Sequence, residues 1–175
     1  MNKNVSRKML EILTPIDFET VKDLSPGDAI LISGYIFTGR DAVLPRLVDL
    51  IQNNELGKYG INLDGAVIFH TAVSLAGIGP TSSNKVEIEE SIPKLSAAGV
   101  KMHLGKGILN NYTVKHLKEN DSVYAIVAPV TALLQSTIKE KRVVAFPEEG
   151  MEALHLLKVE NLPAVVAVAN GKTIW

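Results

Sequence analysis

The chain has 175 residues, 46% of them hydrophobic, with 18 basic and 19 acidic side chains, a net charge of −1 and no cysteine. A chain of this length is expected to form one globular domain over residues 1–175 with a substantial core. Balanced charge without a Lys/Arg run argues against nucleic acid as a partner, and the lack of cysteine excludes disulfides, a thiol nucleophile and any thiolate-held cluster supplied by this chain.

The first residues, MNKNVSRKMLEILTP, contain no apolar export signal, and no later run approaches the roughly 18 apolar residues of a membrane span. A cytoplasmic protein without membrane attachment is the expectation. Met9–Leu13 reads as a strand ending at Thr14-Pro15, Phe18–Leu24 as a helical turn, and Ser25-Pro26-Gly27-Asp28 as a strong turn. Ala29–Phe37 is a predicted strand with Gly34 inside it, ending at Thr38-Gly39.

Val43, Leu44, Leu47, Leu50 and Ile51 then fall on one face of a helix, with Pro45 tolerated in its first turn. Arg40-Asp41 stands between that strand and that helix. The spacing is a near miss to a phosphate-binding loop, but Arg replaces the lysine and Asp the magnesium-binding hydroxyl, so a nucleotide site is rejected. Arg40 fits either a surface ion pair with Asp41 or bidentate recognition of a carboxylate by its planar fork.

Asn54–Asp64 is a polar connection, and Gly65–Ala72 a compact apolar strand containing His70. The histidines at 70, 103, 116 and 155 show no i, i+4 pair, so no metal site is argued from them. The stretch 77–107 carries most of the chemical signal. Gly79-Pro80-Thr81-Ser82-Ser83-Asn84-Lys85 places three hydroxyls, an amide and a cation before the acidic start of a helix, Glu87, Glu89 and Glu90. Such a turn serves either as an ordinary helix cap or as an anion site built from backbone N–H groups, hydroxyls and Lys85.

A short strand, Val100–Leu104, leads into Gly105-Lys106-Gly107, where glycines let the backbone approach a ligand and Lys106 is held in a tight turn. The strand-end lysine and the hydroxyl cluster could share one pocket. Beyond it the pattern predicts helices over Thr113–Glu119, Thr131–Lys139 and Glu149–Leu157, and strands over Val123–Val127, Arg142–Phe146 and Ala164–Ala169. Asn170-Gly171 then closes a terminal hairpin. This order fits an α/β domain, three-layer or with a mixed sheet, whose middle strands run parallel.

SPGDAILISGYIFTGRDA, GIGPTSSNK, HLGKG and GMEALHLLKVENLPAVVAV, in this order and spacing, resemble the β subunit or C-terminal part of class I fumarase and L(+)-tartrate dehydratase, the iron–sulfur hydro-lyases. The resemblance covers nearly the whole chain, from about Met9 to Trp175. It implies a swivelling β/β/α three-layer domain with a mixed sheet that closes over a cluster-bearing α subunit. The α subunit would carry the [4Fe-4S] cluster, whose iron polarises the departing hydroxyl, and this chain would bind no metal itself. A homodimer or an α2β2 assembly is implied, as is reversible dehydration of a small hydroxy-dicarboxylate, malate to fumarate or tartrate to oxaloacetate.

On the same resemblance Arg40 matches the arginine that binds substrate carboxylate, Thr81 the threonine that takes part in proton transfer, and Lys106 the lysine of the Gly-Lys-Gly turn, with Ser82 and Lys85 as further substrate contacts. A threonine hydroxyl is a weak base, so it requires a carboxylate or a cationic field beside it. The chain departs from the family pattern at Ser82, at Lys85 in place of an arginine, at Leu44 in place of a histidine, and at Ala128-Pro129 in place of a Gly-Gly tract. A point charge at Lys85 recognises carboxylates less directionally than an arginine fork. A non-catalytic anion-binding or regulatory module of the same fold is the alternative function.

Overall fold

The computed structural model describes residues 9–75, 77–80 and 85–175. Thr81, Ser82, Ser83 and Asn84, the hydroxyl-rich part of the turn before the acidic helix, lie outside the described residues.

The amino-terminal strand β1 (Leu10–Leu13) pairs in parallel with β2 (Ala29–Thr38), and α1 (Phe18–Asp23) connects them. Asp17 caps α1 by accepting the Thr20 N–H at 2.7 Å, satisfying a donor that the first turn leaves unpaired. Gly34 has φ of 115° where the register of β2 shifts, and a Cβ there would fall 2.3 Å from the Thr14 hydroxyl. Only glycine lets β2 bend beside Thr14 at this point.

β2 continues into α2 (Leu44–Gln52), β3 (Val67–Phe69), the hairpin β4 (Thr71–Ser74) and β5 (Gly77–Pro80), and then α3 (Lys85–Ala97). After these come β6 (Met102–Gly105), α4 (Asn111–Glu119), β7 (Val123–Ile126), α5 (Thr131–Thr137), β8 (Ile138–Ala145), β9 (Leu154–Ala169) and β10 (Lys172–Thr173).

Strands β2, β3, β6 and β7 are consecutive parallel neighbours, and β9 runs antiparallel to both β7 and β2. The mixed sheet therefore closes on itself as a five-stranded barrel. Closure depends on β9, a 16-residue strand. One of its edges follows β2, while its other edge is shared by β8 over residues 154–159 and by β7 over residues 165–168.

Apolar side chains fill the barrel, among them Ile30, Ile32, Phe69, Leu104 and Leu162, joined by Val21 of α1, Leu24 just after it and Leu134 of α5. Helices α2 and α3 bury Leu44, Leu47, Ile88 and Leu95 against the outside of the sheet with Ile68, and α4 adds Val114 and Leu117 against Tyr124 and Val168. Full burial of one such side chain contributes about 1.5–3 kcal/mol, so these three helices are fixed chiefly by their apolar faces.

Two expectations are corrected. Residues Glu149–Leu157 are not a helix: a 3-10 turn covers Pro147–Glu152 and β9 begins at Leu154. Phe146 lies in the left-handed region (φ 58°) and Gly150 has φ 58° with ψ −117°, both incompatible with a continuing helix, and the ladder to β2 claims the following residues. The single strand expected over Gly65–Ala72 is interrupted at His70, where the chain leaves the barrel for the β4–β5 hairpin. The terminal turn forms as expected, with positive φ at Asn170 (53°) and Gly171 (74°).

Candidate functional site

Parallel strands present their carboxyl ends at one end of the barrel, and the register aligns them. Thr38 of β2 pairs with Phe69 of β3, and Phe69 with Leu104 of β6. Three backbone bonds extend the alignment past the strands: Gly39 N–H to Phe69 O at 3.1 Å, His70 N–H to Leu104 O at 2.9 Å, and Val127 N–H to Gly105 O at 3.1 Å. Arg40, His70 and Lys106 thus leave the sheet at the same level.

A cavity of about 30 Å³ opens there, lined by His70, Lys85, Glu89, Lys106 and Tyr124 together with Gly105 and apolar side chains of α3. It has room for a water-sized group, which matches one oxygen of a ligand rather than a whole dicarboxylate. Lys106 comes from the turn after β6, and Lys85 is the first residue of α3, where the helix dipole also favours an anion. Among the described residues neither lysine has a carboxylate partner.

Glu89 is buried, and its carboxylate accepts the backbone N–H of Asn110. Asn110 in turn caps α4 through a bond from Thr113 N–H at 2.8 Å. This chain of contacts ties the start of α4 to α3. Tyr124 is 2% exposed; burial, and secondarily the charge of Glu89, pushes its phenol well above the usual tyrosine range, so it remains a protonated donor. A Cβ on Gly105 would fall 2.9 Å from the Tyr124 hydroxyl, and glycine there lets the phenol reach the strand end. With two lysines, one carboxylate and a neutral phenol, the cavity is net positive and suits an anion.

Under the cavity His70, His103 and Ser96 form a buried row. His70 Nε2 lies 3.1 Å from His103 Nδ1, and His103 Nε2 lies 3.0 Å from Ser96 Oγ. Burial lowers the His70 pKa to about 4, and burial together with the neighbouring His70 ring holds His103 well below its ordinary value. Both rings are neutral at pH 7.

Arg40 occupies a different corner. Its guanidinium contacts Glu152, in the turn preceding β9, and its Nε lies 3.9 Å from Asp41. It does not line the cavity of Lys85 and Lys106. Close by in sequence, the Thr38 hydroxyl is fully buried and has no partner among the described residues.

The fold therefore brings together Lys85 and Lys106, keeps Arg40 apart with two carboxylates, and leaves Thr81 and Ser82 outside the described residues. Sequence reasoning missed Glu89, Tyr124 and the lining role of His70. Glu89 follows Ile88 and lies one turn before Ile92, so the apolar stripe of α3 was the available sign that this acid faces inward. Among the described residues no group of three or more His, Cys, Asp or Glu is placed to hold a metal ion. With no cysteine in the chain, its residues do not fit as ligands of an iron–sulfur cluster. No helix among the described residues is long and apolar enough to cross a membrane.

The family model described as Fumarase C-terminus matches residues 1–175. A protein of Methanocaldococcus jannaschii, provisionally named L(+)-tartrate dehydratase subunit beta, is 30% identical, the match covering 89% of this chain and 85% of that protein. The L(+)-tartrate dehydratase subunit beta of Escherichia coli K12 is 28% identical, over 90% of this chain and 81% of its own length. The aerobic class I fumarate hydratase of the same organism is 27% identical over 94% of this chain, which corresponds to 30% of that longer protein.

Proposed function

The chain belongs to the Fumarase C-terminus family, and on that premise we propose that it is the β subunit of a two-component [4Fe-4S] hydro-lyase that reversibly dehydrates a small hydroxy-dicarboxylate, malate to fumarate or tartrate to oxaloacetate. The observation that carries this reading is the net-positive cavity of Lys85 and Lys106 at the carboxyl ends of the parallel strands. Relatives named as dehydratase β subunits over most of their length support the two-component arrangement.

In this reading the domain swivels onto a cluster-bearing α subunit in the cytoplasm, within a homodimeric or α2β2 assembly, and the site forms between the subunits. The cluster belongs to the partner, because this chain offers it no ligand. Lys106 and Lys85 bind the substrate carboxylate, and charged hydrogen bonds of that kind contribute roughly 1.5–3 kcal/mol each. Ser82 adds a hydroxyl donor. Thr81 moves the proton on the substrate carbon, with its alkoxide stabilised by the lysine field. Arg40 serves a second carboxylate by exchanging Glu152 for the ligand.

That exchange also motivates a second reading. An arginine already held by Glu152 and Asp41 is compatible with a regulatory module that binds an anion through the lysines alone. Co-expression with the cluster-bearing subunit, anaerobic cluster reconstitution and a screen of malate and tartrate stereoisomers separate the two. Turnover by the complex and none by the single chain is the expected result. Anion binding without turnover by a reconstituted, cluster-loaded complex would leave only the regulatory module.

A further inference from the structure

The buried row beneath the cavity has a direction, set by its last member. Ser96 is 2% exposed on α3, and its hydroxyl hydrogen has one acceptor among the described residues, His103 Nε2 at 3.0 Å. A buried hydroxyl hydrogen left without an acceptor costs about 1–3 kcal/mol, so the hydroxyl donates and His103 Nε2 carries a lone pair. A neutral His103 then holds its proton on Nδ1 and donates it to His70 Nε2 across 3.1 Å. His70, neutral for the same reason, must hold its own proton on Nδ1.

That Nδ1 is buried and has no partner among the described residues, although His70 as a whole is 4% exposed and lines the cavity. The histidine that its Nε2 faces does not line the cavity. On a residue that shares its cavity with two lysines, an unmatched buried N–H is a donor awaiting an acceptor oxygen.

We propose that His70 is a specificity-determining residue, whose Nδ1–H donates to one oxygen of the bound hydroxy-dicarboxylate, and that Ser96 and His103 are positioning residues that keep the proton on that nitrogen. The inference rests on the reading of the cavity as the dicarboxylate site. Lys85 and Lys106 supply charge with little directionality, whereas a neutral imidazole held in one tautomer fixes the position of a single oxygen. The cavity admits only a group of about that size. A site built to hydrogen-bond an oxygen discriminates strongly against a ligand that lacks it, because its own donor is then left unpaired.

Two measurements test this. Long-range proton–nitrogen NMR on the full chain with labelled histidine reads the tautomers directly, with ring signals assigned from His70→Phe and His103→Phe. Both rings are expected as neutral Nδ1–H tautomers at pH 7, and Ser96→Ala is expected to mix the tautomers of both. A proton on Nε2 of His70 overturns the proposal, as does an imidazolium there at pH 7. Calorimetric titration of the complex with its α subunit, using L-malate, L(+)-tartrate and succinate as probes, reads the consequence. His70→Phe is expected to weaken malate and tartrate roughly 10-fold to 100-fold, and His70→Asn, which keeps an N–H donor near the place of Nδ1, to restore most of it.

Succinate separates the source of the oxygen: an equal loss for all three probes places the bond on a carboxylate, and a loss confined to the hydroxy-acids places it on the hydroxyl. If Lys106→Met weakens the probes and a folded His70→Phe does not, this inference fails while the site reading stands. If neither variant changes binding, both fail together. Should His70→Phe not fold, the wild-type tautomers and the Ser96→Ala response decide the matter.

Discussion

Two cationic corners sit at the same end of the barrel and differ in what surrounds them. At the first, Arg40 meets Glu152 and Asp41, so its guanidinium is already engaged by the protein's own carboxylates. At the second, Lys85 and Lys106 share a cavity with one carboxylate, Glu89, which is itself taken up by the Asn110 N–H. Emergence from a strand end places both cations well. Which of them meets an incoming anion without first giving up a partner is decided by the acids that other elements bring, from the turn before β9 in one case and from α3 in the other.

The largest effect is expected at Lys106. Lys106→Met in the reconstituted complex should lower kcat/KM roughly 100-fold to 1000-fold, or about 3–4 kcal/mol, with thermal melting unchanged because the exposed turn contributes little packing. Initial rates and melting on one preparation check this, and full activity would remove Lys106 from the site.

Next is the uncharged floor of the cavity. The folded pKa of His70 lies at about 4, below the ordinary value near 6.5 of the unfolded chain, so the unfolded chain takes up the proton first as pH falls. Stability from this group is fully present above about pH 6.5 and is lost between there and pH 4, on the order of 3 kcal/mol for His70 alone. Denaturant melts across that window should show the loss for the wild type and a smaller one for His70→Phe. A flat profile would mean that the rings are not buried neutral.

Arg40, unlike Lys106, should register in stability as well. Arg40→Met removes the cation that contacts both Glu152 and Asp41 and should lower stability by about 1–2 kcal/mol, discounted because the pair is partly solvated. A shifted urea midpoint at constant slope is the readout. Unchanged stability would erase the contrast between the two corners. The smallest effect is expected at Lys85, exposed on the first turn of α3, where Lys85→Met should raise KM about 5-fold to 10-fold with little change in kcat. A larger loss there than at Lys106 would exchange the roles of the two lysines.

Much of this protein was legible in its residues alone. The period of Val43 to Ile51, the turn at Asn170-Gly171 and the strand Ala29–Phe37 each follow from local spacing and backbone preference, and the observed elements agree with them. The candidate cations Arg40, Lys85 and Lys106 stood out because each borders a strand end or a helix start.

Tertiary structure decided the rest. Residues 154–157 carry apolar spacing compatible with a helix, yet they form a strand because β2 offers an unpaired edge to β9 over residues 155–165. Barrel closure follows from that long pairing, which no local pattern encodes. The pairing of His70 with His103, 33 residues apart, and the engagement of Arg40 by Glu152, 112 positions away, likewise exist only because parallel strands align their ends and β9 returns beside β2. Local sequence sets which elements can form; which charged and hydrogen-bonding groups meet depends on the register between strands far apart in the chain.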